Sequence, residues 1–164
     1  MLFKKSFLTK HMWQIQLDDN HNNIKQVQSQ KFLGIIIDEH LNWNKQTEKN
    51  CSELKSFKYL FKQLVKYCDT ETLKTVYYSY VESKIRYGIL SWGVTKKQNI
   101  ESILKCQKAL LRIIDKAQFL DSCKEIFKKL KILTVPALII KESCLHVKKT
   151  GRVLTKNFSK WKSI

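Results

Sequence analysis

The stretch NIESILKCQKALLRII, residues 99–114, decides the fold class because its apolar residues recur every three or four positions. Those apolar positions are Ile100, Ile103, Leu104, Leu110, Leu111 and Ile114. That spacing places them on one face of a helix, and Asn99 is a residue type that caps helices at their start. The stretch therefore predicts an amphipathic helix that packs its apolar stripe against the rest of the chain.

Helical patterns extend on both sides of this stretch. Before it, one helix is predicted from Asn42 or Asn44 to about residue 67, and another begins at Asp69 or Thr70. The second helix is expected to break at 87–93, where two glycines five residues apart indicate a bend packed on the core. After it, we predict a short helix over about 121–131 and a further one that opens at Thr134-Val135-Pro136, since proline is tolerated in a first helical turn.

The first forty residues show strand patterns instead. Apolar and polar residues alternate over 13–17, and 18–23 is a cluster of turn-forming residues. Residues 24–27 are predicted to form a short return strand, and 31–38 one buried strand rich in β-branched residues. Four glycines and one proline leave little material for the turns of a many-stranded sandwich or barrel. The predicted class is mainly α with a small N-terminal antiparallel β hairpin and strand set, an α+β fold.

The charge balance is the first indication of function. The 164 residues include 31 lysines and arginines against 14 acids, a net charge of +17. Such an excess is typical of proteins that contact phosphate backbones. Nearly all the cations are lysines, which suit phosphate contact better than base recognition, so binding to nucleic acid would be weakly sequence-specific and strongly salt-dependent. A lysine bias also arises from an AT-rich genome, so charge alone does not identify the partner.

Two rows of cations follow the helical spacing of three and four residues. The first row is Lys55, Lys58, Lys62 and Lys66, and the second is Lys105, Lys108, Arg112 and Lys116. Tyr59 and Tyr67 border the first row, where stacking on a base or sugar and packing at the rim of the core are both open. A solvated face is the alternative interpretation of the two rows. Because they are nearly free of acids, we favour contact with phosphates.

A search for catalytic and metal-binding motifs returns nothing. The sequence has no glycine-rich phosphate loop, no nucleophile elbow, no H-E-x-x-H and no C-x-x-C. Asp18-Asp19 is an adjacent carboxylate pair of the kind that binds Mg²⁺, but it begins a polar turn, so we favour a solvated turn. Asp38 and Glu39 are expected in turn or helix-start roles. We predict no catalytic residue, no metal ligand and no cofactor in this chain.

The cysteines and the apolar runs indicate the cellular compartment. Five unclustered cysteines are expected to be reduced thiols in a cytoplasmic or nuclear protein that is not secreted. Residues 1–12 are basic but lack the apolar core of a secretory signal. The longest uncharged apolar run, 32–37, is too short to span a bilayer, so no membrane partner is expected.

The segment KFLGIIIDEHLNW, residues 31–43, resembles the end of the polymerase region of non-LTR (LINE-like, jockey-type) retrotransposon reverse transcriptases. In that family a segment of the form F-L-G-x-x-x-D-x-x-L-x-W closes the palm and leads into the thumb. Four further segments agree in order: VYYSYV at 76–81, YGILSWG at 87–93, QKALLRII at 107–114 and LKILTVP at 130–136. The resemblance covers the chain from about Ile15 to Lys149.

The resemblance implies a division into a weakly structured segment 1–12, a palm edge 13–41, a helical thumb-like bundle 42–150 and a basic tail 151–164. Phe32, Leu33 and Gly34 would match the primer grip, which holds the 3′ end of the primer, and glycine there lets a nucleic-acid backbone approach closely. The two rows of cations would then lie along a template–primer duplex, either RNA–DNA or DNA.

The complete family enzyme is an RNA-directed DNA polymerase that uses Mg²⁺. Its catalytic Tyr/Phe-x-Asp-Asp motif lies upstream of the segments matched here, and Asp18-Asp19 falls in a later hairpin turn. We therefore expect a fragment that binds nucleic acid and does not catalyse synthesis alone. One alternative is a domesticated or vestigial protein-interaction module, whose exposed apolar face is covered by a palm domain or another protein. The other is a remnant that folds poorly and has no function.

Overall fold

The computed structural model describes residues 16–17, 22–23, 27–118 and 121–151. It divides the chain into a first unit, Met1–Gln46, and a second unit, Thr47–Ile164. The described residues are mainly helical with small antiparallel hairpins, so the predicted α+β class is confirmed.

Two short hairpins form the strands of the first unit. Strand β1 (Gln16–Leu17) pairs antiparallel with β2 (Asn22–Asn23), and β3 (Ser29–Phe32) pairs antiparallel with β4 (Ile35–Asp38). The predicted turn cluster 18–23 therefore ends in a strand. Of the predicted return strand, residues 24–26 lie outside the described residues, as do residues 13–15 of the first strand.

The prediction of one buried strand over 31–38 is wrong. The chain reverses at Leu33 and Gly34, whose φ angles are 45° and 81°, and Phe32 then lies opposite Ile35. Positive φ at both central residues is the mark of the type I′ hairpin turn. The β-branched residues of β4 consequently pair back onto β3, and they are only half-buried.

The carboxylate of Asp38 organises the turn that follows β4. It accepts hydrogen bonds from the backbone N–H groups of Asn42 at 2.9 Å and Trp43 at 2.7 Å, and from that of His40 at 3.2 Å. Leu41 and Trp43 both adopt positive φ, a backbone conformation that is unfavourable for residues with a Cβ. The hydrogen bonds to Asp38 help to hold the turn in this conformation. The predicted turn role of Asp38 is confirmed.

We expect Asp38→Ala to loosen this turn, because two short hydrogen bonds to a charged acceptor are lost. The local cost is about 2–4 kcal/mol, and it appears as faster hydrogen exchange at the amides of Asn42 and Trp43. Asp38→Asn is the matched control, since it keeps one acceptor oxygen and should give an intermediate rate. Unchanged protection in Asp38→Ala would contradict this role.

Helices make up the described part of the second unit, and the first of them begins in the first unit. They are α1 (Asn44–Leu64), α2 (Thr70–Val76), α3 (Ser83–Arg86), α4 (Ile89–Trp92), α5 (Lys97–Ile114), α6 (Cys123–Leu130) and α7 (Val135–Thr150). A π-helical segment, Tyr77–Glu82, joins α2 to α3 without a break in helical backbone angles. No local sequence pattern indicated this segment.

Several helix boundaries follow from capping chemistry that the sequence displayed. Asp69 caps α2 by accepting from the backbone N–H of Thr72, and hydrogen bonds from the Thr72 side chain and backbone hold the pKa of Asp69 below its usual value. Thr134 caps α7, with proline in the first turn as predicted. The cap predicted at Asn99 is wrong: α5 begins at Lys97, and the Asn99 amide donates to the Thr95 hydroxyl at 2.7 Å.

The predicted break at 87–93 is present, and it packs on the core. Gly88 has a φ of 63° and separates α3 from α4. Trp92 is fully buried, and its indole N–H donates to the carbonyl of Tyr87 at 2.8 Å. A Cβ at Gly93 would lie 2.3 Å from the carbonyl oxygen of Ile89, so only glycine fits where the chain turns.

Helix α5 is the central helix of the second unit and contacts α2, α6 and α7. Its fully buried apolar residues are Ile100, Ile103, Leu110, Leu111 and Ile114. Gln107 lies among them as a buried polar residue. Its amide N–H groups donate to the Tyr77 hydroxyl at 2.7 Å and the Leu133 carbonyl at 2.8 Å, and its carbonyl accepts from the N–H of Val135 at 3.1 Å. This one side chain therefore links the π-helical segment to the start of α7.

Glu82 is a buried acid at the end of the π-helical segment. Burial raises its pKa above the usual range, an effect that the charges of Arg86 and Lys141 partly offset. Its carboxylate lies 3.9 Å from one guanidinium nitrogen of Arg86, whose other terminal nitrogen lies 2.8 Å from Glu142. Arg86 is therefore held more closely by Glu142 than by Glu82.

We expect Glu82→Gln to raise the melting temperature at pH 7. A folded-state pKa above the unfolded value means that protonated Glu82 favours the fold, and this contribution is lost as the pH rises through the folded pKa. The difference in melting temperature between Glu82→Gln and the wild type should therefore shrink as the pH falls toward 4.5, the ordinary pKa of a glutamate side chain. Thermal melts from pH 7 to pH 4 test this. Glu142→Gln is the control and should lower the melting temperature at pH 7; a lower melting temperature for Glu82→Gln there would contradict the assignment.

Candidate nucleic-acid interface

The first row of cations lies on α1 and the turn that follows it. Lys55 and Lys62 are exposed and Lys58 is half-buried, at the helical spacing that the sequence predicted. Lys66 lies beyond the end of α1, where it is exposed and donates to the side-chain oxygen of Gln63 at 3.2 Å. The row therefore continues past the helix rather than ending with it.

The second row is less uniform. On α5, Lys105 is exposed and Lys108 is half-buried. Arg112 is half-buried, and its guanidinium donates to the carbonyl of Asp121 at 3.3 Å, so part of its hydrogen-bonding capacity serves the fold. Lys116 is exposed beyond the C-terminal end of α5, at a φ of 54°. Lys105 and Lys116 are therefore more exposed to solvent than Lys108 and Arg112.

Several acids of the second unit are paired with cations outside the two rows. The close pairs are Lys84–Glu53 at 3.4 Å, Lys74–Glu71 at 3.3 Å, Arg86–Glu142 at 2.8 Å, Lys128–Glu125 at 3.3 Å and Lys129–Asp115 at 2.6 Å. Within the described ranges, no carboxylate lies within 4.0 Å of the ammonium groups of Lys55, Lys58, Lys62, Lys105 or Lys108. Their charge is therefore available to an external anion.

Two aromatic rings stand beside the first row. Tyr59 is 73% exposed and Tyr67 is 84% exposed, so neither ring packs into the core. Between the two interpretations that the sequence left open, this exposure favours a stacking surface. Exposed aromatic rings next to lysines are the combination that binds bases and sugar–phosphate backbone together.

In the first unit, the residues predicted to match a primer grip lie together at the tip of the β3–β4 hairpin. Phe32 is 62% exposed and Leu33 is 74% exposed, and Gly34 completes the turn between them and β4. Lys31 is also exposed. Two large apolar side chains held in solvent by a tight turn are suited to contact with a ligand or partner.

The structure does not describe Asp18 and Asp19, the carboxylate pair that the sequence singled out. Among the residues it does describe, no group of three or more His, Cys, Asp and Glu side chains is arranged to hold a metal ion. In the same ranges, none of the helices combines the length and apolar character that a membrane span needs.

One juxtaposition was not predicted. The fold brings Cys51 of α1 against Cys106 of α5, with the Cys106 sulfur 4.0 Å from the carbonyl oxygen of Cys51. The cysteines are 55 positions apart, so no local motif connects them. Helical periodicity alone can place each on an inward face, but the pairing depends on how the two helices cross.

Comparisons of the whole chain with protein-family models, with curated proteins and with solved structures find no match.

Proposed function

We propose that this chain binds nucleic-acid duplexes through their phosphate backbone, as the palm-edge and thumb region of a non-LTR reverse transcriptase. The observation that carries the proposal is the first row of cations, Lys55, Lys58, Lys62 and Lys66, which lies beside Tyr59 and Tyr67 with all but Lys58 exposed. The ordered set of family-like segments supports the same assignment. Cytoplasm or nucleus is the compartment that fits such a role.

The binding mode follows from the chemistry of lysine. An ammonium group on a flexible stem neutralises a phosphate as a point charge and does not read base edges in a fixed geometry. Binding should therefore tolerate sequence changes and accept either an RNA–DNA or a DNA duplex. Each neutralised phosphate releases condensed counterions, which makes the affinity fall steeply with salt.

A salt titration tests this proposal. Fluorescence anisotropy with a labelled 20-base-pair duplex should give a linear plot of log affinity against log salt concentration. Contact with about four phosphates predicts a slope of roughly −3 to −4. A scrambled duplex of the same length is the control and should bind within a factor of about two. An affinity that does not change with salt, or that is absent at low salt, would contradict backbone binding.

We propose that the chain does not synthesise DNA by itself. Two-metal phosphoryl transfer needs carboxylates that hold Mg²⁺, and the sequence contains no Tyr/Phe-x-Asp-Asp motif to supply them. In the complete family enzyme, Mg²⁺ supplies the charge stabilisation of that reaction. Purified protein given template–primer, deoxynucleotides and Mg²⁺ should extend no primer, and extension above a protein-free blank would contradict this part of the proposal.

The second candidate function is protein interaction, which Phe32 and Leu33 favour because they are exposed at a hairpin tip. An apolar partner, such as a palm domain, would cover them. Its association would depend little on salt, in contrast to duplex binding. Phe32→Ser with Leu33→Ser should abolish such an association and leave duplex affinity within a factor of a few.

A further inference from the structure

Cys51 and Cys106 form a pair of reduced thiols inside the second unit. Both are more than nine-tenths buried, on facing sides of α1 and α5. The Cys106 sulfur also lies 4.0 Å from the carbonyl oxygen of Cys51. Within the described residues, no such contact with another cysteine is found for Cys68, Cys123 or Cys144.

Charged residues surround the pair unevenly. Lys55 and Lys58 follow Cys51 by one and two helical turns, and their positive charges favour the thiolate form of Cys106. The largest effect on the pKa of Cys106 comes from the neighbouring Cys51 side chain, which lowers it, while burial raises it. The same interaction with Cys106 raises the pKa of Cys51, and burial and the charge of Glu48 act in the same direction. The neighbouring thiol and the two lysines therefore favour the thiolate of Cys106, and the thiolate is the form of cysteine that reacts with oxidants.

We propose that Cys51 and Cys106 are a site of reversible oxidation by peroxides, at which an intramolecular disulfide joins α1 to α5. The inference concerns the thiols alone and does not rest on nucleic-acid binding. Among the described residues, no second cysteine is in contact with any of the other three, so oxidation there would stop at a sulfenic acid or require a second molecule.

The chemistry balances in two steps. The Cys106 thiolate attacks one oxygen of hydrogen peroxide, an S–O bond forms as the O–O bond breaks, and the hydroxide that leaves is protonated to water. The Cys51 sulfur then attacks the sulfenic sulfur of Cys106, forming the S–S bond as the S–O bond breaks, and a second water leaves with the Cys51 proton. The two thiols lose two electrons, and the peroxide gains them.

The test uses the full chain and one to five equivalents of hydrogen peroxide, followed by alkylation and non-reducing peptide mass spectrometry. We expect the Cys51–Cys106 cross-linked peptide to form before any modification of Cys144, which is exposed and serves as the internal control. Dithiothreitol should reverse the cross-link. The oxidised protein should melt roughly 5–10 °C higher, because the bond closes a loop of 55 residues.

Variants separate the two steps. In Cys51→Ser, a dimedone probe should trap sulfenic acid on Cys106, and no internal cross-link should form. In Cys144→Ser, the cross-link should form at the wild-type rate. Oxidation of Cys144 ahead of the pair in the wild type would overturn the proposal, and so would cross-links to other cysteines in comparable yield. Peptide mass spectrometry of the oxidised wild type alone distinguishes these outcomes, so the proposal can be tested even if a variant misfolds.

Discussion

A variant in which Lys55, Lys58, Lys62 and Lys66 are all glutamate should lose at least about 100-fold in duplex affinity at 50 mM salt. Each substitution removes a neutralised phosphate contact and introduces a like charge against the backbone, and the counterion-release term disappears with the contacts. The four side chains are exposed or half-buried on the outside of α1 and the turn after it, so the fold should tolerate the change. Fluorescence anisotropy measures the affinity, and circular dichroism should show unchanged helicity.

The matched control is a variant with the same change in net charge at other sites. Lys96, Lys97, Lys124 and Lys148 are exposed lysines outside the two rows, and reversing all four alters the total charge equally. We expect this control to lose less than about tenfold, through long-range repulsion that salt screens. Equal losses in both variants would mean that net charge alone governs binding. An unaltered affinity in the first variant would refute contact through this row.

Gln107→Leu should lower the free energy of unfolding by about 3–5 kcal/mol, a large share of the total for a domain of this size. Gln107 is fully buried and bonded to three groups, namely the Tyr77 hydroxyl, the Leu133 carbonyl and the Val135 amide. Leucine fills the space but bonds to none of them, and each buried polar group left unsatisfied costs about 1–3 kcal/mol. Urea denaturation measures the loss, and the slope of the unfolding free energy against urea concentration should be the same for the variant and the wild type.

A double-mutant cycle with Tyr77→Phe isolates one of the three bonds. Tyr77 is fully buried, and burial raises the pKa of its hydroxyl. Solvent therefore cannot replace Gln107 as the hydrogen-bond partner of this hydroxyl. Removing that hydroxyl in the Gln107→Leu background should cost less than removing it from the wild type, with a coupling of about 1 kcal/mol. A loss below 1 kcal/mol for Gln107→Leu alone would contradict the role assigned to this side chain.

The helices were predictable because helical periodicity and capping are local properties. Asp69 and Thr134 mark the starts of α2 and α7 through side-chain oxygens that accept from nearby N–H groups. The start of α5 was misplaced because Lys96, which precedes it, has no capping side chain. The π-helical segment over 77–82 was not predicted, since its wider turn leaves no distinct pattern in a short stretch.

The hairpin turn at Leu33-Gly34 was also not predicted, because its residues give no clear local signal. Type I′ turns usually have Asn, Asp or Gly at the first central position, and leucine there gives no signal. The β-branched run after Gly34 consequently suggested one continuous strand, whereas the turn reverses the chain and pairs that run with β3.

The candidate interface was predictable in its composition and less so in its details. Spacing alone placed Lys55, Lys58 and Lys62 along one side of a helix, as the structure has them. The partial use of Arg112 by the Asp121 carbonyl depends on a loop that no local pattern indicated. The contact of Cys51 with a thiol on another helix depends likewise on tertiary packing.

Lysine footprinting tests the central claim, contact between the first row and a nucleic-acid backbone, most directly. An amine-reactive reagent is applied to the full chain with and without a saturating duplex, and mass spectrometry gives the modification rate at each lysine. The account predicts that the duplex slows modification of Lys55, Lys58, Lys62 and Lys66 at least several-fold, while Lys124 and Lys148 react as before. Equal rates at all of these lysines, or protection confined to Lys124 and Lys148, would contradict it.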